Sequence, residues 1–185
     1  MIPLFLPEIL LCVLSVLLLC LTLAKNQISE KALSAFMLTG GLALAAGCLF
    51  SLHQSGDLFF NTYRVDLFSQ GFKTITAIAF LLTVLLSTEW NQIPKTRLVE
   101  YYLFLATGAL GMMMMASAVD ILSLFVAIEL SAYSLYLLSA LKIGSRNAES
   151  SVKYLIFGAT VSGAALWGLS LIVGLSGTTS IALIL

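Results

Sequence analysis

The sequence predicts an all-α, polytopic bundle of about six transmembrane helices, and three observations carry that expectation. Of its 185 residues 60% are hydrophobic and only 10% are charged, against about a quarter charged in a soluble domain. Mean hydropathy is +1.06, more apolar surface than a water-soluble fold of this size can hide. Apolar stretches of roughly the 20 residues that a bilayer demands recur along the chain, separated by short polar segments.

The first span, residues 3–24, holds Glu8 and no Lys or Arg. It lacks the basic start of a signal peptide and reads as a retained helix. Residues 25–31 form a polar loop, 32–52 a second span and 53–64 a second loop. A third span over 65–88 carries Asp66 and Lys73. After a polar loop at 89–100 containing Pro94, a fourth span (101–117) is followed almost at once by a fifth (121–141). Asp120 stands between them, where a helix N-cap belongs. Residues 142–150 make the fifth loop and 151–175 the sixth span. Residues 181–185 are apolar with no polar tail after them, which suggests a truncated chain.

Basic residues set the orientation. Loops one, three and five hold Lys25, Lys31, Lys95, Arg97, Lys142 and Arg146, whereas loop two holds only Arg64 and loop four none. The N-terminus is therefore expected outside, with the odd-numbered loops in the cytoplasm of a bacterium and the chain multi-pass in its inner membrane.

Several chemistries are excluded. The nine basic and nine acidic residues balance, so no nucleic-acid footprint is present. Cys12, Cys20 and Cys48 lie in apolar runs without CxxC spacing, and His53 is the sole histidine. No metal or iron–sulfur site is expected from that set. Nor is there a GxGxxG or P-loop fingerprint, so redox or nucleotide chemistry falls to another chain.

Glu129 is the most informative residue. It lies in FVAIELSAYSLYLL, roughly 13 Å into a core about 30 Å thick. A carboxylate there costs on the order of 3 kcal/mol against lipid and should face protein or water. Such a group is suited to exchanging a proton, and Tyr133 and Tyr136 follow on the same helical face at i+4 and i+7. The competing reading is that Glu129 only holds helix packing. Lys153, one turn after Glu149, is either a snorkelling interfacial lysine or part of the same machinery. On the third span Asp66, Gln70 and Lys73 form a polar stripe with Ser69 alongside. Asp66 fits an interfacial cap better than a relay, and the role of Lys73 is open. Glu8 is read as solvated at the outer interface and structural, and His53 as a wetted helix end. The methionine run at 112–115 reads as packing material. Gly158 with Ser162, and Ser170 with Gly174, have small-xxx-small spacing for helix contact.

These residues carry a family resemblance. IEL at Glu129, AESSVKYLIFGA around Lys153, the opening LPEILL and the third-span YRVDLFSQGFK together resemble the antiporter-like, proton-translocating membrane subunits of respiratory complex I, the NADH:quinone oxidoreductase. Within that family they are most like subunit N, because the L and M paralogues usually place a tryptophan before the glutamate and here it is Ile128.

The resemblance implies the N-terminal part of a fourteen-helix fold. Residues 1–98 would be an N-terminal three-helix segment, and residues 99–185 the start of the translocating repeat. Glu129 and Lys153 would carry proton translocation, with Glu149 beside them; Tyr133, Tyr136, Lys73 and Asp66, singled out by helical spacing, are read as supporting residues. The chain itself would bind no cofactor; NADH, FMN, iron–sulfur clusters and quinone would belong to other subunits. Partners would be the K-, M- and J-type membrane-arm neighbours and the lipid bilayer. The family's partner lysine, on a broken seventh helix in a GxKxxxxPxHxWLPDA-like stretch, is absent before Leu185. The chain would thus hold one half of a proton-transfer pair, driven electrostatically by redox chemistry elsewhere. Alternative readings are a cation/proton antiporter subunit, a related hydrogenase or deazaflavin-dependent dehydrogenase pump, and an assembly scaffold.

Overall fold

The computed structural model describes residues 2–24, 29–87, 93–141 and 145–184. Lys25 and Lys142, on which the orientation argument partly rests, lie outside the described residues. The elements in order are α1 (Leu6–Leu23, led in by a 3-10 turn at Ile2–Phe5), α2 (Glu30–Ser51), β1 (Gly56–Leu58), β2 (Tyr63–Val65) and α3 (Leu67–Ser87). Then follow α4 (Leu98–Ser117, led in by a 3-10 turn at Lys95–Arg97), α5 (Ile121–Ala140), α6 (Ser145–Ser176) and a final turn at Ile181–Ile184. All six helices are long and apolar enough to cross a membrane.

Local chemistry sets several boundaries. At the start of α3 the Asp66 carboxylate accepts the Ser69 N–H at 2.7 Å while the Ser69 hydroxyl accepts the Asp66 N–H at 2.9 Å. That reciprocal pair satisfies donors a helix start leaves open. Asp120 caps α5, accepting from the backbone N–H groups of Leu122 and Ser123 at 3.0 and 3.2 Å.

Two boundaries differ from the expectation. Helix α6 is 32 residues long and begins at Ser145, so most of the expected fifth loop is helical. Its first turns contain the Glu149-to-Lys153 pair, which supports helix at this spacing. Residues 53–64 are not a plain loop, because β1 and β2 pair antiparallel with Gly56 opposite Val65 and Leu58 opposite Tyr63. The hairpin's turn places Phe59, Phe60 and Asn61 at φ of 52°, 56° and 64°, a left-handed run that L-residues adopt at a cost. Edge-to-face packing among Phe5, Phe59 and Tyr63, with centroids 5.4 to 6.2 Å apart, holds the turn.

The connections sort to two ends. At one end the Val119 N–H donates to Thr62 O and the Ile121 N–H to Thr179 O, and Asp120 bridges to Ser180. The N-terminal turn, the hairpin, the α4–α5 link and the segment after α6 therefore share that end. At the other end Lys95 Nζ reaches Glu30 Oε1 at 2.7 Å, joining the α3–α4 connection to the start of α2.

Helix α4 is central, packing against α1, α3 and α5. Leu11 and Leu18, Met37 and Cys48, Phe80 and Val84, and Ala106 and Met113 fill the core between α1 and α4. Lipid tails are as apolar as leucine, so close packing of small residues joins the helices. At Gly111 a Cβ would come within 2.6 Å of Ser131 N and 2.9 Å of Ala127 O, so the α4 and α5 backbones touch there. Helix α6 packs mainly on α5 among the spans, and none of its hydrophobic window is buried.

Candidate functional site

Two charged constellations stand out. The first was expected. Glu129 sits midway along α5, half-buried, with no hydrogen bond or ion pair on its carboxyl among the described residues. Tyr136 is buried and lies edge-on to Tyr133 at 5.9 Å and to Tyr154 of α6 at 4.8 Å; Tyr133 is largely exposed. Glu129 is within electrostatic reach of Tyr136. The Tyr136 ring occupies the notch above Gly158, where any side chain would collide with its hydroxyl. Gly158 thus serves a tyrosine rather than a helix backbone, and Gly174 meets nothing within 4 Å. Lys153 pairs with Glu149 at 2.5 Å on the outer face of α6 and is not brought to Glu129.

The second constellation corrects the reading of Glu8. That residue is not solvated: it is fully buried, and its Oε1 lies 2.7 Å from Lys73 Nζ, whose side chain is fully buried too. Two spans each bring an otherwise costly charge into the interior, and the charges meet. Tyr63 of β2 donates its hydroxyl to the same Oε1 at 2.5 Å, and its ring lies 5.0 Å from Lys73 Nζ, in cation–π range. Burial pushes the Tyr63 phenol well above the ordinary tyrosine range, and the adjacent Glu8 carboxylate pushes the same way. It therefore stays a donor. From α2, Cys48 Sγ approaches the Lys73 carbonyl at 3.7 Å and the Ser51 hydroxyl donates to Gln70 Oε1 at 3.2 Å. Asp66 stands apart, engaged in its cap.

Known proteins of similar sequence bear on this reading. No family model matches the chain. It is 35% identical over 185 residues, 98% of its length, to the NADH-quinone oxidoreductase subunit N 2 of Opitutus terrae. It is 38% identical over 143 residues, 77% of its length, to the protein of the same name from Solidesulfovibrio magneticus. The chain is a relative of the subunit N proteins. It spans 38% and 30% of the lengths of those two relatives.

Its fold matches a chain of respiratory complex I from Thermus thermophilus, solved with bound aureothin. The TM-score is 0.77 at 28% identity, over 94% of this chain and 38% of that one. A chain of the membrane-bound sulfane sulfur reductase, an archaeal respiratory membrane complex, shares the fold with a TM-score of 0.76 at 23% identity. The resemblance read from IEL and AESSVKYLIFGA is thus met by the subunit N relatives over nearly the whole chain, and the chain is a multi-pass membrane protein.

Sequence reasoning missed Glu8 and Tyr63. A usable signal was present for Glu8: opposite charges stranded in two spans should seek each other, since neither tolerates lipid alone. For Tyr63 there was none, because the hairpin that aims it carries no Asn-Gly or Asp-Gly turn.

Proposed function

We propose that this chain is part of a membrane-arm subunit of an NADH:quinone oxidoreductase, coupling electron transfer from NADH to quinone with proton translocation. The observation that carries the reading is the similarity of 98% of this chain to part of a subunit N protein; beside it, the chain's own Glu129 stands midway along α5. Glu129 is the proton-carrying group. No ion pair among the described residues engages it, and its counter-charge is the seventh-helix lysine that the family resemblance implies. Ionised beside that cation, Glu129 is stable; with the cation withdrawn, it takes up a proton. Moving a charge against the membrane potential requires about 2.3 kcal/mol per 100 mV. That is roughly 1.7 pKa units, within reach of a rearranged partner.

Lys153 and Glu149 stand where α6 begins and exchange charge with the aqueous side there; the Tyr136 hydroxyl is turned to Gly158 of α6, so Tyr133 is the tyrosine left to serve Glu129. Lys73 of α3, paired with Glu8, stands in support, whereas Asp66 is spent on the cap before that helix. This chain is the non-redox part; NADH, FMN, iron–sulfur clusters and quinone are held by other subunits, with K-, M- and J-type neighbours alongside. The end bearing Lys31, Lys95 and Arg97 faces the cytoplasm, and the hairpin end with the N-terminus faces outward from the inner membrane.

The test is Glu129→Gln in the full-length subunit within its complex, assayed in inverted membrane vesicles. Proton translocation coupled to NADH oxidation should fall by about a hundredfold, the scale of removing a positioned proton carrier. Wild-type pumping in that variant would sink the reading.

A further inference from the structure

We propose that Tyr63, carried by the β1–β2 hairpin, is a gate that admits water to the buried Glu8–Lys73 pair. The gate needs only this end of the bundle, whether or not the chain belongs to a proton pump.

The pair lies near water yet is shut away from it. Glu8 stands in the first turn of α1 and Lys73 in the second turn of α3, roughly 10 Å from the end where the hairpin joins the spans. A lysine that close to a helix end ordinarily keeps its ammonium in water. Here neither side chain has any exposed surface. The hairpin makes the difference. Leu58, Tyr63 and Val65 pack with Leu4, Phe5 and Met114 in an apolar cluster separate from the main core, and the Tyr63 hydroxyl closes on Glu8 Oε1 at 2.5 Å.

The closed arrangement leaves hydrogen-bonding capacity unspent. Lys73 Nζ lies 2.7 Å from Oε1 but off the direction a hydrogen bond takes. Glu8 Oε2 has no protein partner, and Gln70 Nε2, one turn before Lys73 on α3, has none either. Holding these three buried atoms unbonded disfavours the closed form. Water that reaches them donates to the carboxylate oxygen and accepts from the two nitrogens.

What holds the gate shut is slight. Each strand is three residues long, and a two-stranded hairpin is marginal by itself. Its turn keeps Phe59, Phe60 and Asn61 in the left-handed region, which is costly for residues with a Cβ. Nor must the hairpin unfold for Tyr63 to move. Its ring already lines a cleft of about 330 Å³ shared with Phe5, Phe59, Thr62 and Met114. A swing of the ring into that cleft breaks the bond to Glu8 and uncovers the pair. The hairpin itself stays tied to the α4–α5 link by the Val119 N–H, which donates to Thr62 O at 3.1 Å.

Hydroxyl-radical labelling of the full-length protein in its native membranes tests the gate, because radicals generated by X-rays mark side chains that have water beside them. Cys48, fully buried with its Sγ 3.7 Å from the Lys73 carbonyl, is the reporter. Met37, as deeply buried on the same helix, is the control. Tyr63→Phe keeps the ring and deletes the bond that closes the gate. Cys48 labelling, read by mass spectrometry, should then rise at least about fivefold, the population change that losing one hydrogen bond brings, while Met37 stays at its wild-type level. Phe59→Ala removes an edge-on neighbour of the Tyr63 ring and should act the same way; it decides the matter where Tyr63→Phe fails to assemble. Cys48 labelling that neither variant raises overturns the gate. So does a parallel rise at Met37, which would mean that the whole bundle has loosened.

Discussion

Glu8 with Lys73 and Glu149 with Lys153 are the same two residue types at nearly the same separation, 2.7 and 2.5 Å. Their surroundings are opposite. The first pair has no exposed side-chain surface, while in the second the lysine and glutamate are 66% and 68% exposed. Separation therefore says little about what a pair contributes; burial decides. An exposed i,i+4 pair adds about 0.3–0.5 kcal/mol at best. A buried pair can be near neutral against an apolar replacement, yet removing one partner strands the other charge. The four-helix part of the bundle is locked by such a pair, and the α5–α6 part is joined by packing.

The largest effect that sharpens this contrast is Lys73→Met. Stranding Glu8 should lower stability by about 3–5 kcal/mol, read by thermal or denaturant unfolding of the detergent-solubilised protein. The double variant Glu8→Leu/Lys73→Met should recover most of the loss. Equal losses in the single and double variants would show that the pairing is not what matters. Next comes the junction between the two parts. Gly111→Val should force α4 from α5 at a cost of about 1–3 kcal/mol, and cysteine cross-linking across that interface should weaken accordingly.

Alkaline titration probes the buried pair more gently. The folded-state value of the Tyr63 phenol is raised above its ordinary value of 10.0, so the stability it confers is complete below pH 10. That stability declines as pH climbs above 10, by up to about 1.4 kcal/mol per unit. Tyr63→Phe should unfold with a correspondingly flatter dependence above pH 10. The smallest effect is Glu149→Gln, expected to change stability by less than about 0.5 kcal/mol. A loss of several kcal/mol there would erase the contrast between the pairs.

The six spans were legible because a bilayer demands long apolar runs, and nothing subtler is needed to see them. The caps at Asp66 and Asp120 were legible too, since each stands directly before an apolar run. The early start of α6 was not: SRNAES looks like loop composition, and only Glu149 and Lys153 one turn apart argued for helix. Glu8 was misread because three residues from a helix start looked like water. Tyr63 and the hairpin cover that position, and they are brought there by contacts spanning more than fifty residues, which no local periodicity reports. Glu129 was legible as a mid-depth carboxyl, and its partner was not, because the described residues do not supply one.

Helix α6, with its 32 residues, is about 48 Å long, whereas a bilayer is 40–45 Å thick including its headgroups. A rod of that length either leans or stands with an end among the phospholipid headgroups. Its polar first turns, residues 145–153, are the end that belongs there. Phosphates then compete for Lys153, and ethanolamine or choline groups for Glu149, so that the strength of this pair is set by lipid composition as much as by the protein.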